Sequence, residues 1–328
     1  MPQTKSNSTP TPHRRRDLIE YGLLASAVVL VGVFVKNPYY LQLLTFIGIN
    51  TLLALGLNML MGYAGQISLG HAAFYGIGAY TSAILTTTYG LSPWLALPCA
   101  VGLAALVALL VGLPTLKLSG YYLGMGTLGF GMIGFIVFRE WDGLTGGASG
   151  FVGIPSLALG PVDLTAGANY FFLVWGIVLA AVITCRRLIR SRMGRALRAI
   201  HDSEAAARAV GVHTMALKLR IFIFSAALAA LCGFLYAHYV TFISPGSFDF
   251  LASIRMVTMV VIGGMASVWG ALLGAGLLTM LPEWLHAFSD FEMIVYGLIM
   301  MLVMIVMPQG LTRGLLDLYQ RARKDHGR

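Results

Sequence analysis

From residue 37 to residue 116 this chain carries no Lys, Arg, Asp or Glu, and further uncharged runs cover 118–138, 164–185, 221–248 and 256–282. A helix needs about 20 consecutive apolar residues to cross a bilayer, so each of these runs is long enough for at least one crossing. Inside hydrocarbon no water satisfies backbone N–H and C=O groups, and a chain of this kind must form helices wherever it faces lipid. Charged residues make up only 11% of the sequence, against about 25% in soluble domains. The expected fold is all-α, a polytopic transmembrane helical bundle with room for about 8–10 spans.

The ionisable residues that remain are confined to flanking segments. Arg186, Arg187, Arg190, Arg192, Arg195, Arg198, Arg208, Lys218 and Arg220 crowd one stretch, with only Asp202 and Glu204 against them. Cytoplasmic loops of membrane proteins accumulate cations in this way. The net charge of +9 is therefore an orientation signal, not a nucleic-acid footprint. Within the basic stretch, Ser203–Val210 is short and Ala-rich, and Gly211 closes it. Asp202 or Ser203 suits an N-cap, Glu204 suits the positive end of the helix dipole, and Gly211 suits the residue past the last turn. So short a helix is unstable alone in water. Its Ala face permits close approach, and the expectation is a knob that a cytoplasmic partner grips. The competing reading is a connector bound to anionic lipid headgroups.

In chain order, residues 1–16 are expected to be a disordered cytoplasmic tail ending in His13-Arg14-Arg15-Arg16. A cleaved signal peptide is disfavoured, because the apolar run after it is too long. Residues 17–310 form the membrane domain and 311–328 a basic cytoplasmic tail. Spans are expected at about 18–35, 41–61, 66–86, 93–115, 119–138, 169–185, 219–240 and 291–308. The Gly/Pro-rich, cation-poor loop 139–168 lies outside, and the basic loop 186–218 lies inside. With the C-terminus inside, parity requires the stretch at about 254–281 to enter and return, broken near Gly263-Gly264 or at Ser267–Gly270. Non-helical backbone at that depth needs protein or a cavity around it, and such breaks point to a substrate path. A similar Gly-interrupted segment around Gly62–Gly70 suggests that 41–138 and 169–308 are diverged repeats.

No carboxylate falls in the middle of a span, although proton-coupled carriers use intramembrane carboxylates. No phosphate loop, His-Glu-x-x-His or Cys-x-x-Cys motif is present. No catalytic residue, cofactor or metal site is expected, and the energy for uphill transport must come from another polypeptide. Gln66, Ser68 and His71, flanked by glycines, are candidate lining of a translocation route, with Thr127 facing the same route. Their competing role is hydrogen bonding between helices. Asn50 and Asn58 suit helix packing, His238 and Arg255 an interfacial position near the outer surface, the Met-rich 293–307 lipid or core filling, and Cys99, Cys185 and Cys232 packing.

The segments GLNMLMGYAGQISLGHAAFYGIGAY (56–80), KLSGYYLGMGTLGFG (117–131), LTGGASGFVGIP (144–155), SEAAARAVG (203–211) and VVIGGMASVWGALLGA (260–275) together resemble the permease subunits of branched-chain amino-acid ABC importers. The outer-loop motif resembles the longer, M-type permease of the pair. The resemblance implies a bacterial inner-membrane assembly: this permease, a second permease subunit, two cytoplasmic ABC ATPases and a solute-binding protein outside. It also implies that Glu204, Ala205, Ala206 and Gly211 form the ATPase-coupling element. The general pattern places Glu-Ala-Ala three residues before Gly and a Leu-Pro later; here Gly211 comes one residue later and no Leu-Pro follows. Urea permeases of the same family look similar, and a passive facilitator is the alternative of a different class.

Overall fold

The computed structural model describes residues 12–285 except 119, 160–161 and 165–167, together with 297, 298, 301, 305 and 310–312. The helices are α1 (Pro12–Phe34), α2 (Pro38–Ala64), α3 (His71–Thr87), α4 (Pro93–Thr115), α5 (Tyr121–Glu140), the single turn α6 (Asp142–Thr145), α7 (Asn169–Arg190), α8 (Arg192–Asp202), α9 (Glu204–Ala209), α10 (Thr214–Val240), α11 (Phe250–Gly263) and α12 (Val268–Leu285). Among the described residues, the only sheets are two two-stranded ribbons. β1 (Phe151–Val152) pairs antiparallel with β4 (Phe242–Ile243), and β2 (Ala158–Leu159) with β3 (Val162–Asp163). Six helical segments are long and apolar enough to cross a membrane: 38–64, 93–115, 121–140, 169–190, 214–240 and 245–263. The protein is a multi-pass, all-α membrane protein.

Side-chain pairs fix the direction of each helix relative to the basic end, where α10 begins. α2 runs toward that end: Phe46 meets Tyr236 and Tyr239, and Gly56 packs on Ser225 and Leu228. α3 runs away from it, with His71 on Ser225 and Ser82 on His238. α4 returns, bringing Gly112 to Leu219. α5 runs outward beside α3, with Gly131 against Gly70 and Gly134 against Ala73. At the opposite end the chain from α6 to β3 covers the bundle, tied down by β1–β4 pairing and by Trp94 donating to the Ala158 carbonyl. α7 comes back to the basic end, where Arg186 pairs with Glu20 of α1.

The stretch expected to enter and return does so. α11 descends and α12 rises, joined at Gly264–Ser267. Their backbones touch through Gly263 and Gly274; a Cβ on Gly274 would stand 1.9 Å from the Met259 carbonyl oxygen. At the top of α12, Glu283 accepts from the Tyr39 hydroxyl, whereas Gly310 and Thr312 are back beside Gly264 and Gly263. The span expected at about 291–308, the Met-rich 293–307 and the tail from 313 otherwise lie outside the described residues. α1 begins at Pro12, inside the stretch expected to be tail.

Two sequence expectations need correction. His238 is not interfacial: it is fully buried, with Nε2 2.7 Å from Ser82 Oγ and Nδ1 2.7 Å from the Pro155 carbonyl oxygen. The satisfied ring joins α10, α3 and the distal loop. Cys185 and Cys232 are buried, but Cys99 is exposed on α4 and packs nothing.

α3 and α10 also meet closely, where Gly78 and Gly233 let the two backbones approach. A Cβ on Gly233 would lie 2.0 Å from the Tyr75 carbonyl oxygen, and one on Gly78 would lie 2.1 Å from that of Ala230. Backbone cannot swing aside as a side chain can, so Gly233→Leu should cost more than the ~1–3 kcal/mol of ordinary core overpacking. Gly129→Leu, with nothing within 4 Å of the added Cβ, should be near neutral. Thermal unfolding of the purified chain in detergent distinguishes them.

Candidate functional site

Two regions hold the residues singled out in the sequence. The first lies between α2 and α3. Gly65, in the left-handed region at φ +65°, ends α2, with its N–H bonded to the Met61 carbonyl and that of Gln66 to Leu60. The next five residues are not helical. His71 stands beside Ser225, eleven residues into α10, which is about 16 Å from the start of that helix. Ser225 is five residues past Arg220, so the end of the gap packs against the uncharged part of α10. The 66–86 stretch expected as one span is a 17-residue helix, about 26 Å long, entered through non-helical chain.

Thr127 closes the gap. Its Oγ1 accepts the Leu69 N–H at 3.1 Å and donates to the Gly124 carbonyl at 2.9 Å. Gly70 makes this approach possible, since a Cβ there would lie 2.0 Å from the Thr127 carbonyl oxygen. At the other side Ser253 Oγ accepts the Ala72 N–H at 3.0 Å. The structure brings Gln66, Ser68, His71 and Thr127 together, with Thr127 acting as a backbone clamp.

Successive side chains of an extended chain point to opposite faces. Here Gln66 and Ser68 are buried, while Ile67 between them is exposed. The polar face looks into the bundle and the apolar face outward. Both amide atoms of Gln66, Ser68 Oγ and His71 Nδ1 have no hydrogen-bond partner among the described residues. Each such group costs about 1–3 kcal/mol.

The second break, Gly264–Ser267, is held by Asn58. Its Oδ1 accepts the Ala266 N–H at 2.9 Å, and its Nδ2 donates to the Ser267 carbonyl at 2.7 Å. Ala266 has φ +57°, a conformation that costs a non-glycine residue energy unless its surroundings hold it. Gly62 lets this loop sit against α2. Asn58 is helix-to-helix packing in the expected sense, with the added role of fixing a break. Asn50 likewise crosses to α12, donating to Thr279 Oγ1 at 2.9 Å. Arg255 is exposed near the distal start of α11, as expected, and lines a cleft there.

The second region is the knob at the basic end. Ser203 is the N-cap of α9, its hydroxyl accepting the Ala206 N–H, and Gly211 follows at φ +84°. Ala205, Ala206 and Gly211 are exposed. Glu204 faces the bundle instead. Lys218 Nζ donates to one carboxylate oxygen at 2.5 Å and Arg208 to the other at 2.6 Å. Lys218 is itself buried, so Glu204 is its counter-charge and pins α9 to the first turns of α10. Partial burial pushes the Glu204 carboxyl up, but the bonds from Lys218 and Arg208 outweigh it and hold it at about 2. Val210 projects from the tip at 77% exposure, an apolar contact the sequence reading missed. The role of Lys218 was missed as well; its signal is a cation flanked by leucines near the start of a span, two residues before Arg220. Beside the knob, the Leu116–Leu118 turn and residues 211–220 enclose a groove of about 1540 Å³. Among the described residues no cluster of His, Cys, Asp and Glu could hold a metal.

The sequence profile described as the permease component of the branched-chain amino acid transport system matches residues 39–306. The chain belongs to that family. It is 35% identical, over 94% of its length and 79% of the relative's, to the high-affinity branched-chain amino acid transport system permease protein LivM of Escherichia coli K12. It is 34% identical to LivM of Salmonella typhimurium, over 89% of this chain and 75% of that one. The LivH permease of E. coli K12 is 27% identical over 79% of this chain and 90% of its own. No solved structure gives a significant match. The two breaks and the knob all fall inside the family match.

Two measurements check this site. Gln66→Leu removes two unpartnered buried atoms and should raise the stability of the isolated chain by on the order of 1 kcal/mol, seen as a higher melting temperature. The Glu204 tie has a folded pKa below its ordinary value of 4.5, so its stabilisation is fully present above that value and lost as pH falls toward 2. A nitroxide at Ala209 should stay immobile from about pH 8 to 5 and become mobile only in that acid window.

Proposed function

We propose that this chain is one permease of an ATP-driven importer that carries leucine, isoleucine or valine across the bacterial inner membrane. It works with a second permease subunit, two cytoplasmic ABC ATPases and an external solute-binding protein. The basic end, with both chain termini, faces the cytoplasm, and the loop from α6 to β3 faces outward. The chain itself hydrolyses nothing.

The observation that carries this reading is the construction of the knob. Ala205, Ala206, Val210 and Gly211 offer a small, uncharged, outward face. Behind it, Glu204 and Lys218 bind that face to a helix that runs on through the bundle. A lipid-binding connector needs its cations and its apolar side chains on opposite faces of one helix; α9 has neither arrangement. A face of small residues fits insertion into a groove on a partner. The relatives' names support the solute class, and the naming of LivM and LivH as separate permeases of such systems supports a second permease subunit.

In this reading Gln66, Ser68 and His71 line the route and are closed off in the present conformation. Thr127 holds the segment that carries them. Solute passage hydrates the groups that now lack partners, which is why they are retained despite their cost.

Ala206→Glu tests the coupling assignment. The residue is exposed, so the fold should melt at the wild-type temperature. ATPase subunits should no longer co-purify with the permease pair, and leucine uptake in proteoliposomes should fall at least tenfold. Normal co-purification and uptake would refute the assignment.

A further inference from the structure

At the distal end, α2, α3, α10, α11 and α12 surround an open cleft of about 910 Å³. Its lining is divided. Leu53, Met256 and Leu278 form an apolar wall, and Arg255, Asn50 and Tyr75 supply polar groups. No Asp or Glu lines the cleft. Arg255 has no ion-pair or hydrogen-bond partner among the described residues. Among the described residues, Asp249 caps α11 through the Ala252 N–H and Glu283 accepts from Tyr39, so both are engaged elsewhere. Asn50 uses its amide nitrogen on Thr279 and leaves its carbonyl oxygen unused.

Arg255 is exposed at the mouth of the cleft, and a guanidinium with no protein counter-ion there can bind a carboxylate in a two-pronged geometry. An amide oxygen and a tyrosine hydroxyl can accept from an ammonium group. The adjoining apolar wall suits a branched hydrocarbon side chain. These are the three parts of a free apolar amino acid. Urea has no carboxylate and makes no use of Arg255.

The cleft also adjoins the first break. Ala252 lines it, and the next residue, Ser253, accepts the Ala72 N–H that opens α3. Asn58 lies eight residues along α2 from Asn50, about 12 Å deeper.

We infer that this cleft receives the amino acid on entry, with Arg255 binding its α-carboxylate, Asn50 and Tyr75 its ammonium group, and Leu53, Met256 and Leu278 its side chain. The inference rests on the transport reading above. It makes Arg255 the residue that selects amino acids over neutral solutes.

The test uses the assembled importer in proteoliposomes, with wild-type, Arg255→Lys and Arg255→Met permease. Arg255→Met should lower leucine uptake at least tenfold, and Arg255→Lys should recover part of it by keeping the charge. A structural role is separated by direct binding to the purified permease pair: wild type should bind leucine in preference to leucinamide, which lacks the carboxylate. Arg255→Met should lose that preference while melting at the wild-type temperature. Wild-type uptake kinetics in Arg255→Met, or an unchanged preference, would overturn the site and leave the transport reading standing. A wild-type importer that moves no branched-chain amino acid at all would overturn the transport reading, and the site with it.

Discussion

A peptide group packed among apolar helices has no water to bond, and this chain interrupts its helices twice where other helices crowd the break. Everything distinctive in the bundle serves those two interruptions. Thr127 and Ser253 take the N–H groups of Leu69 and Ala72 at the first, and Asn58 takes both an N–H and a C=O at the second. Side chains from three different helices thus replace bonds that a continuous helix would make for itself. They reach only because the backbones stand unusually close, at Gly70 against Thr127 and at Gly62 against Ala266. Small residues therefore do more here than tighten packing. They set the distance at which a hydroxyl or an amide can stand in for a helical partner.

One helix joins this interior to the surface knob. α10 carries Lys218, which holds Glu204, and seven residues further on it carries Ser225, which meets His71 at the mouth of α3. Further along still, Gly233 seats it against the α3 backbone. A helix transmits axial displacement with little loss, because its hydrogen bonds lie along the axis. In the proposed mechanism, α10 is the element that would carry a displacement at α9 to the first break. The ion pair suits this duty. Lys218 is buried, and separating it from Glu204 would leave an uncompensated charge out of water.

Much of this was legible in the sequence. Uncharged runs reveal helices because hydrocarbon admits little else. Ser203 and Gly211 reveal the limits of α9 because caps are local chemistry. Counting crossings against the basic segments predicted the turn-back of 254–281, since orientation is a global constraint that one chain cannot evade. What escaped depends on partners distant in sequence. Ser82 stands 156 residues from His238 and makes it a core residue, not an interfacial one. Glu204 turned inward because of Lys218, fourteen residues away, whereas an Ala-rich motif suggests an outward-facing acid. Arg255 is exposed near the distal end as expected, but its place in a cleft depends on α2 and α12, which the local sequence does not show.

The inside-out pattern at Gln66–Ser68 bears on why the first break exists at all. A stable bundle would place Ile67 inward and the polar residues where something could bond them, or would avoid the break altogether. Instead the chain holds several unbonded polar atoms in its interior and presents an isoleucine outward. Stability alone cannot maintain such an arrangement, because replacing those groups by hydrocarbon would lower the energy of this conformation. The arrangement becomes favourable only if another conformation brings water or solute to the same atoms. Under the proposed transport reading, the unbonded groups would narrow the free-energy gap between closed and open forms, and the same polar face would be the one a zwitterion meets after the Arg255 cleft.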